Sequence, residues 1–255
     1  MRRIFTTAAL ALLATASLAA PPKGYETIYD APTRVNMGGR PVTAGIQLHT
    51  DKKAAAAGDL KLVLSTDVTP FIADVEKDLE KWVATHQERC GQRWGTGTPV
   101  IEFPPGAIRF ALEIEYEVWN CGWDGKGDPG RFIAEAASID VTLDPYVENG
   151  KLQARLADLS IDNRSGVSKF LPLESALKPI LNEELKKLNA NPKFYKAPQP
   201  FISEGFVYES LTGKRNAQGR VLITARYRAK GDASKLTKVV DRVRVEGISA
   251  EGVKP

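Results

Sequence analysis

The stretch 108–118 constrains the fold of this chain more than any other. Ile108, Phe110, Leu112, Ile114, Tyr116 and Val118 alternate there with Arg109, Ala111, Glu113, Glu115 and Glu117. Alternation of period two puts every apolar residue on one face of a strand and every charged one on the other. With Trp119 the run spans about 40 Å, roughly twice the length of an ordinary strand. A second run follows in which Ile133, Ala137, Ile139, Val141 and Leu143 share a face. Glu148-Asn149-Gly150-Lys151 is a hairpin turn signal leading into Leu152, Ala154 and Leu156. The period then slips to Leu159 and Ile161, which predicts a bulge. The segment reads as an antiparallel meander with one apolar and one wet face.

An apolar face of that length needs cover. Thr69-Pro70 signals a helix start. Phe71, Val75, Leu79, Trp82, Val83 and His86 follow at steps of three and four, with Asp74, Lys77, Asp78 and Lys81 opposite. This helix is expected to run to about Glu88, and the segment 95–99 ends it. Leu173, Leu177, Ile180, Leu181, Leu185 and Leu188 form a second amphipathic helix, bent at Pro179. Shorter strands are read at 42–48, 60–64 and 221–227, the last with Arg226 and Arg228 on the face opposite Ala225 and Tyr227. Residues 25–30 and the Gly38-Gly39 turn read as an irregular entrance, and 51–59 as a connection or short helical turn. The stretch 201–211 reads as a strand. Residues 239–248 read as a final edge strand, with a short helix from Ser234 as the alternative. The class is α+β.

Residues 1–19 read as a secretory signal: Arg2 and Arg3, then an apolar run from Ala8 to Leu18, then Ser17-Leu18-Ala19 before the cut. The apolar run is too short for a permanent anchor, and no Cys follows it to carry a lipid. The expectation is a periplasmic or secreted protein whose residues 20–255 form one domain. Of 255 residues, 43% are hydrophobic and 26% charged, which excludes disorder and a polytopic membrane protein. Removing the signal takes two of the 35 basic residues and none of the 31 acidic ones, leaving +2. From Leu211 onward, eleven Lys or Arg face four Asp or Glu. That basic end suits an anionic membrane surface or an envelope partner, or is simply a solvated face. No nucleic-acid partner is expected.

Cys90 and Cys121 are the only cysteines. In an exported chain the expectation is one disulfide, with two free thiols as the alternative. Such a bridge is worth about 3.7 kcal/mol in the chain-entropy model. The loop Trp119-Asn120-Cys121-Gly122-Trp123 places two indoles beside it, suited to stacking on a sugar, sitting at a membrane interface or packing over the disulfide.

Motifs of catalysis are sparse. Gly125-Lys126-Gly127-Asp128-Pro129-Gly130 matches G-x-G-x-x-G, but Pro129 interrupts it and a strand-like run follows. Against a calcium loop starting at Asp124, Lys126 and Pro129 stand where oxygen and glycine belong. His49 and His86 have no zinc spacing, and His86 reads as partly buried on its helix. No G-x-S-x-G elbow is present. Glu113, Glu115 and Glu117 line one strand face, compatible with a carboxylate hydrolase or with an ordinary wet face. Asn163-Arg164-Ser165 fits the glycosylation sequon. No metal or cofactor is expected.

The succession of Phe71–Val83 helix, 108–118 strand, 139–161 hairpin with its Asn149-Gly150 turn, and 173–188 helix resembles the tubular lipid-binding (TULIP) superfamily, which includes the bactericidal/permeability-increasing protein. The resemblance covers about 160 residues and is one of pattern, without a catalytic signature. It implies a long curled antiparallel sheet wrapped around a long amphipathic helix, as a single module, and a lipid held between them. On that reading Phe110, Leu112, Ile114, Tyr116 and Val118 face Phe71, Val75, Leu79 and Trp82 across an apolar interior. Independently, a helix of about 28 Å is too short to cover strands of about 40 Å. The second helix fills the remainder, or a groove for acyl chains stays open. The function expected is non-catalytic binding of a lipid or other apolar molecule. The alternative is an envelope interaction protein using the basic end and the Trp119–Trp123 loop.

Overall fold

A computed structural model of the chain describes residues 18, 20–37, 40–122, 127–166, 169 and 171–249. The rest of the expected signal, Gly38-Gly39, and Trp123 to Lys126 lie outside the described residues. The elements in chain order are β1 (Glu26–Met37), β2 (Arg40–Thr50), α1 (Lys52–Ala56), β3 (Asp59–Asp67), α2 (Thr69–Thr85), β4 (Gly91–Thr96), β5 (Val100–Glu102) and β6 (Ile108–Asn120). They continue with β7 (Gly130–Glu148), β8 (Lys151–Asp162), α3 (Leu173–Ala190), α4 (Pro192–Tyr195), α5 (Gln199–Ile202), β9 (Val207–Arg215), β10 (Val221–Lys230) and α6 (Ser234–Glu246). Every strand pairing is antiparallel. One sheet has the order β1-β2-β3-β10-β9 and the other β4-β6-β7-β8, with β5 added onto β6. The fold is mixed α+β, and neither sheet closes on itself.

The packed core belongs to the first sheet. Ile46 and Leu48 of β2, Leu60 and Leu62 of β3, and Ala225 and Tyr227 of β10 share its inner face, all buried. Leu236, Val239, Val240 and Val243 of α6 close over them. The spacing of those four, at i, i+3, i+4 and i+7, is a helix stripe. The reading of 239–248 as an edge strand is therefore corrected: the β-branched valines suggested a strand, but burial of one helical face decides the conformation. Phe201 stacks on Tyr227 with ring centroids 4.8 Å apart and planes 12° from parallel. Burial pushes the Tyr227 and Tyr208 phenols above their ordinary range, and the two hydroxyls share a hydrogen bond.

The second sheet matches the alternating runs. β7 extends over 19 residues, about 60 Å. Asn149 and Gly150 take φ of 51° and 73°, the two left-handed residues that a tight hairpin requires. The bulge lies where the period slips: Thr142 pairs with Asp158 but Leu143 with Leu156, so Ala157 is the extra residue. Several elements differ from the sequence reading, and β5 and α4 were not read at all. Residues 26–37 form β1, where 25–30 were expected as part of an irregular entrance; 91–96 form β4, overlapping the segment 95–99 expected to end α2; and 201–202, expected to begin a strand, lie in α5.

The two sheets meet at β9, which lies against β7 and β8. The Tyr208 amide donates to the Gly150 carbonyl at 3.2 Å, and Val207 packs on Gly150. The apolar face of the second sheet thereby runs into the main core at its hairpin end, through Val147 and Leu152.

Candidate functional site

The apolar face of the second sheet is built from cross-strand rows. Phe110 pairs with Val141, Leu112 with Ile139, Ile114 with Ala137 and Val118 with Ile133. Ile139 pairs onward with Ile161 of β8, and Thr96 and Trp94 of β4 continue the rows of Ile114 and Tyr116. One margin of this face is covered by α3. Its end is fixed by Asn189, whose amide bonds both backbone groups of Ala154, and its start by Glu174, which accepts from the Ile161 amide at 3.2 Å. Under that helix Leu152, Ala154 and Ile161 are buried.

The other margin is flanked by α2. Asp67 accepts from the Thr69 amide at 3.0 Å, and the Thr69 hydroxyl accepts from the Val221 amide at 2.9 Å, which ties the helix start to the first sheet. The helix runs along β2 and β4. Its Trp82 meets Trp94 edge-on at 5.7 Å, and Trp94 in turn meets Tyr116 at 4.7 Å. Cys90 and Cys121 are joined, with Cα atoms 5.5 Å apart, so the end of β6 is tied to the turn after α2.

Among the described residues, the middle of the face between the two helices is uncovered. Phe110 is 39% exposed, Val75 40%, Trp82 41% and Ile180 58%. Leu112, Ile114, Tyr116 and Val118 are half-buried. Of the helical residues expected opposite them, Trp82 approaches the face through Trp94, while α2 as a whole buries none of its side chains. Phe71 and Leu79 are half-buried on the helix. Trp94 was missed in the sequence because β4 carries one large apolar residue and no alternation; its signal was the lone indole just after Cys90.

The opposite, wet face is laced with ion pairs. The Arg109 guanidinium donates to Asp140 and Glu102, each at 2.6 Å, and these bonds hold its pKa above the ordinary range. Glu117 accepts from Arg131 at 2.9 Å and from the Trp119 indole N–H at 2.8 Å, and these bonds hold its carboxyl below the ordinary range. Glu113 and Glu115 are exposed, lying over Gly97 and Gly95. The Arg93 guanidinium sits 4.1 Å over the Trp119 ring, so that indole is engaged on the wet face.

His86 is exposed and stacked on Trp82 at 4.2 Å, which corrects the expectation of partial burial. His49 is the buried one: its Nδ1 lies 3.0 Å from the Thr27 hydroxyl, and burial lowers its pKa. The basic end is compensated locally. Arg242 meets Glu204 and Glu246, Arg244 meets Asp241, and Lys230 meets Asp59. Among the described residues no group of three or more His, Cys, Asp or Glu is placed to hold a metal, and no helix is long and apolar enough to cross a membrane.

No protein-family model matches the chain, and no curated protein matches it. Among solved structures, the crystal structure of a lipopolysaccharide binding protein is similar at a TM-score of 0.31 and 13% identity, over 71% of this chain. The match spans 32% of that protein's length, about a third, and a likeness of this degree assigns neither fold family nor activity.

Proposed function

We propose that the protein binds a lipid or another apolar molecule, without catalysis, along the strip of β6 and β7 between α2 and α3. The observation that supports this reading is a sheet face with flanks and, among the described residues, no lid. Leaving a Leu, Ile or Phe half out of water forgoes about 1 kcal/mol each. Soluble proteins seldom leave a contiguous apolar patch of this extent without a use for it. From Ile108 to Val118 the strip is about 33 Å long. Its rows hold one carboxylate, Glu135 beside Tyr116, near one end. A long, narrow floor with its single charge near one end suits hydrocarbon chains.

On this reading Phe110, Leu112, Ile114, Tyr116 and Val118 form the floor, and Phe71, Val75, Leu79 and Trp82 supply the α2 wall. The protein works in the periplasm or outside the cell after loss of residues 1–19, taking its ligand from a membrane surface. The test is native mass spectrometry of the processed protein from an exporting host, together with uptake of a fluorescent fatty acid. A co-purifying apolar ligand, and uptake abolished by Leu112→Lys, are expected. Ligand-free spectra combined with no uptake by the unaltered protein contradict the reading.

A further inference from the structure

The apolar strip does not stop at Ile108. Beyond it the segment 103–107 turns back across the end of the sheet and faces β9. Between them lies a cavity of about 240 Å³. Phe103, Pro104, Ile108, Pro145 and Leu211 supply its apolar walls. Ile108 and Pro145 belong to the apolar face of the second sheet and Leu211 to the inner face of the first, so the cavity sits where the two apolar faces converge.

No charged side chain lines it. The one hydroxyl among its lining residues, on Thr212, donates to the Thr224 carbonyl at 3.5 Å. The far wall is fixed: the Phe103 ring occupies the space a side chain at 213 would take, since a Cβ on Gly213 would come within 2.0 Å of it. Pro104, Pro105 and Pro145 have φ locked by their rings, so the walls are set before any ligand arrives. A dry apolar cavity of about 150 Å³ holds a benzene ring. Scaled on that, about 240 Å³ holds nine or ten carbon atoms.

Resting on the lipid reading above, we propose that this cavity receives the methyl end of a single unbranched acyl chain whose remainder lies on the β6–β7 strip. The polar head then lies on the strip, outside the cavity. The cavity lining offers a head group no charged partner.

The experiment compares the processed full-length protein with Ala107→Phe, which fills the cavity, in titrations with saturated fatty acids from decanoic to eicosanoic acid. In the unaltered protein, affinity rises along the series. In Ala107→Phe it falls about tenfold for decanoic acid, most of whose methylenes the cavity holds and which lose their burial, and less for the longest acids, which keep their contacts on the strip. If Ala107→Phe does not fold, as judged by its melting curve, Phe103→Ala replaces it; enlarging the cavity then changes the affinity for decanoic acid more than for eicosanoic acid. A length profile unaltered by these variants overturns the cavity assignment while leaving the lipid reading intact. If the unaltered protein binds no acid of the series, the lipid reading itself fails and the assignment with it.

Discussion

Asn189, at the end of α3, bonds both backbone groups of Ala154 on the edge strand β8: its Oδ1 accepts the amide at 2.8 Å and its Nδ2 donates to the carbonyl at 2.7 Å. A single side chain thus does for the sheet edge what another strand would do, and it fixes where α3 lies over the apolar face. Asn189→Ala leaves two groups of a buried residue unbonded, which costs about 2 kcal/mol or more. Urea unfolding should show a lower midpoint with an unchanged slope. A variant as stable as the unaltered protein would mean that α3 is held by its leucines alone.

The core of the first sheet depends on aromatic stacking over Tyr227. Phe201→Ala removes a wholly buried ring and opens a cavity, with an expected loss of about 4 kcal/mol. Thermal unfolding followed by near-ultraviolet circular dichroism reads it directly. The same measurement on Ile180→Ala, at an exposed position of α3, should register little change.

His49 makes stability depend on pH in a definite direction. Burial lowers its pKa below the ordinary 6.5, with Asp30 opposing in part. The unfolded chain therefore takes up the proton first as pH falls, and its proton uptake stabilises the unfolded state. Stability from this residue is full above about pH 6.5 and is lost progressively as pH falls from there toward the lowered value. Urea midpoints measured across that window should decline for the unaltered protein and flatten in His49→Gln.

The Cys90–Cys121 bridge ties the α2 side of the strip to the end of β6. Cys90→Ser with Cys121→Ser should lower stability by about 3 to 4 kcal/mol, as the loop it closes requires. A reductant should lower the melting temperature of the unaltered protein toward that of the double variant.

The meander was legible because its information is local. Period-two alternation, the Asn149-Gly150 turn and the slip after Leu156 each specify backbone geometry within a few residues. The stripes of α2 and α3 were legible for the same reason. β1 and β4 were not, since their conformation is imposed by pairing with β2 and β6 rather than by their own pattern. Helix α6 was misread because Val239, Val240, Val243 and Val245 favour strands locally, while the packing that makes them helical is tertiary. Three amphipathic stripes also say which faces seek cover without saying which faces meet. The stripe that closed over a sheet was the one on α6, and α2, expected over β6, lies beside it against β4. The shared apolar face of β6 was therefore legible in the sequence, whereas Trp94, Asn189 and the Phe103–Gly213 contact required coordinates.

The most direct test of the binding strip is photocrosslinking of the processed protein with a diazirine-bearing fatty acid, followed by peptide mapping. Labels concentrated on Phe110 to Val118 and on Ile139 to Leu143 are the predicted result. Saturable labelling elsewhere, with these two strands unmodified, would contradict it.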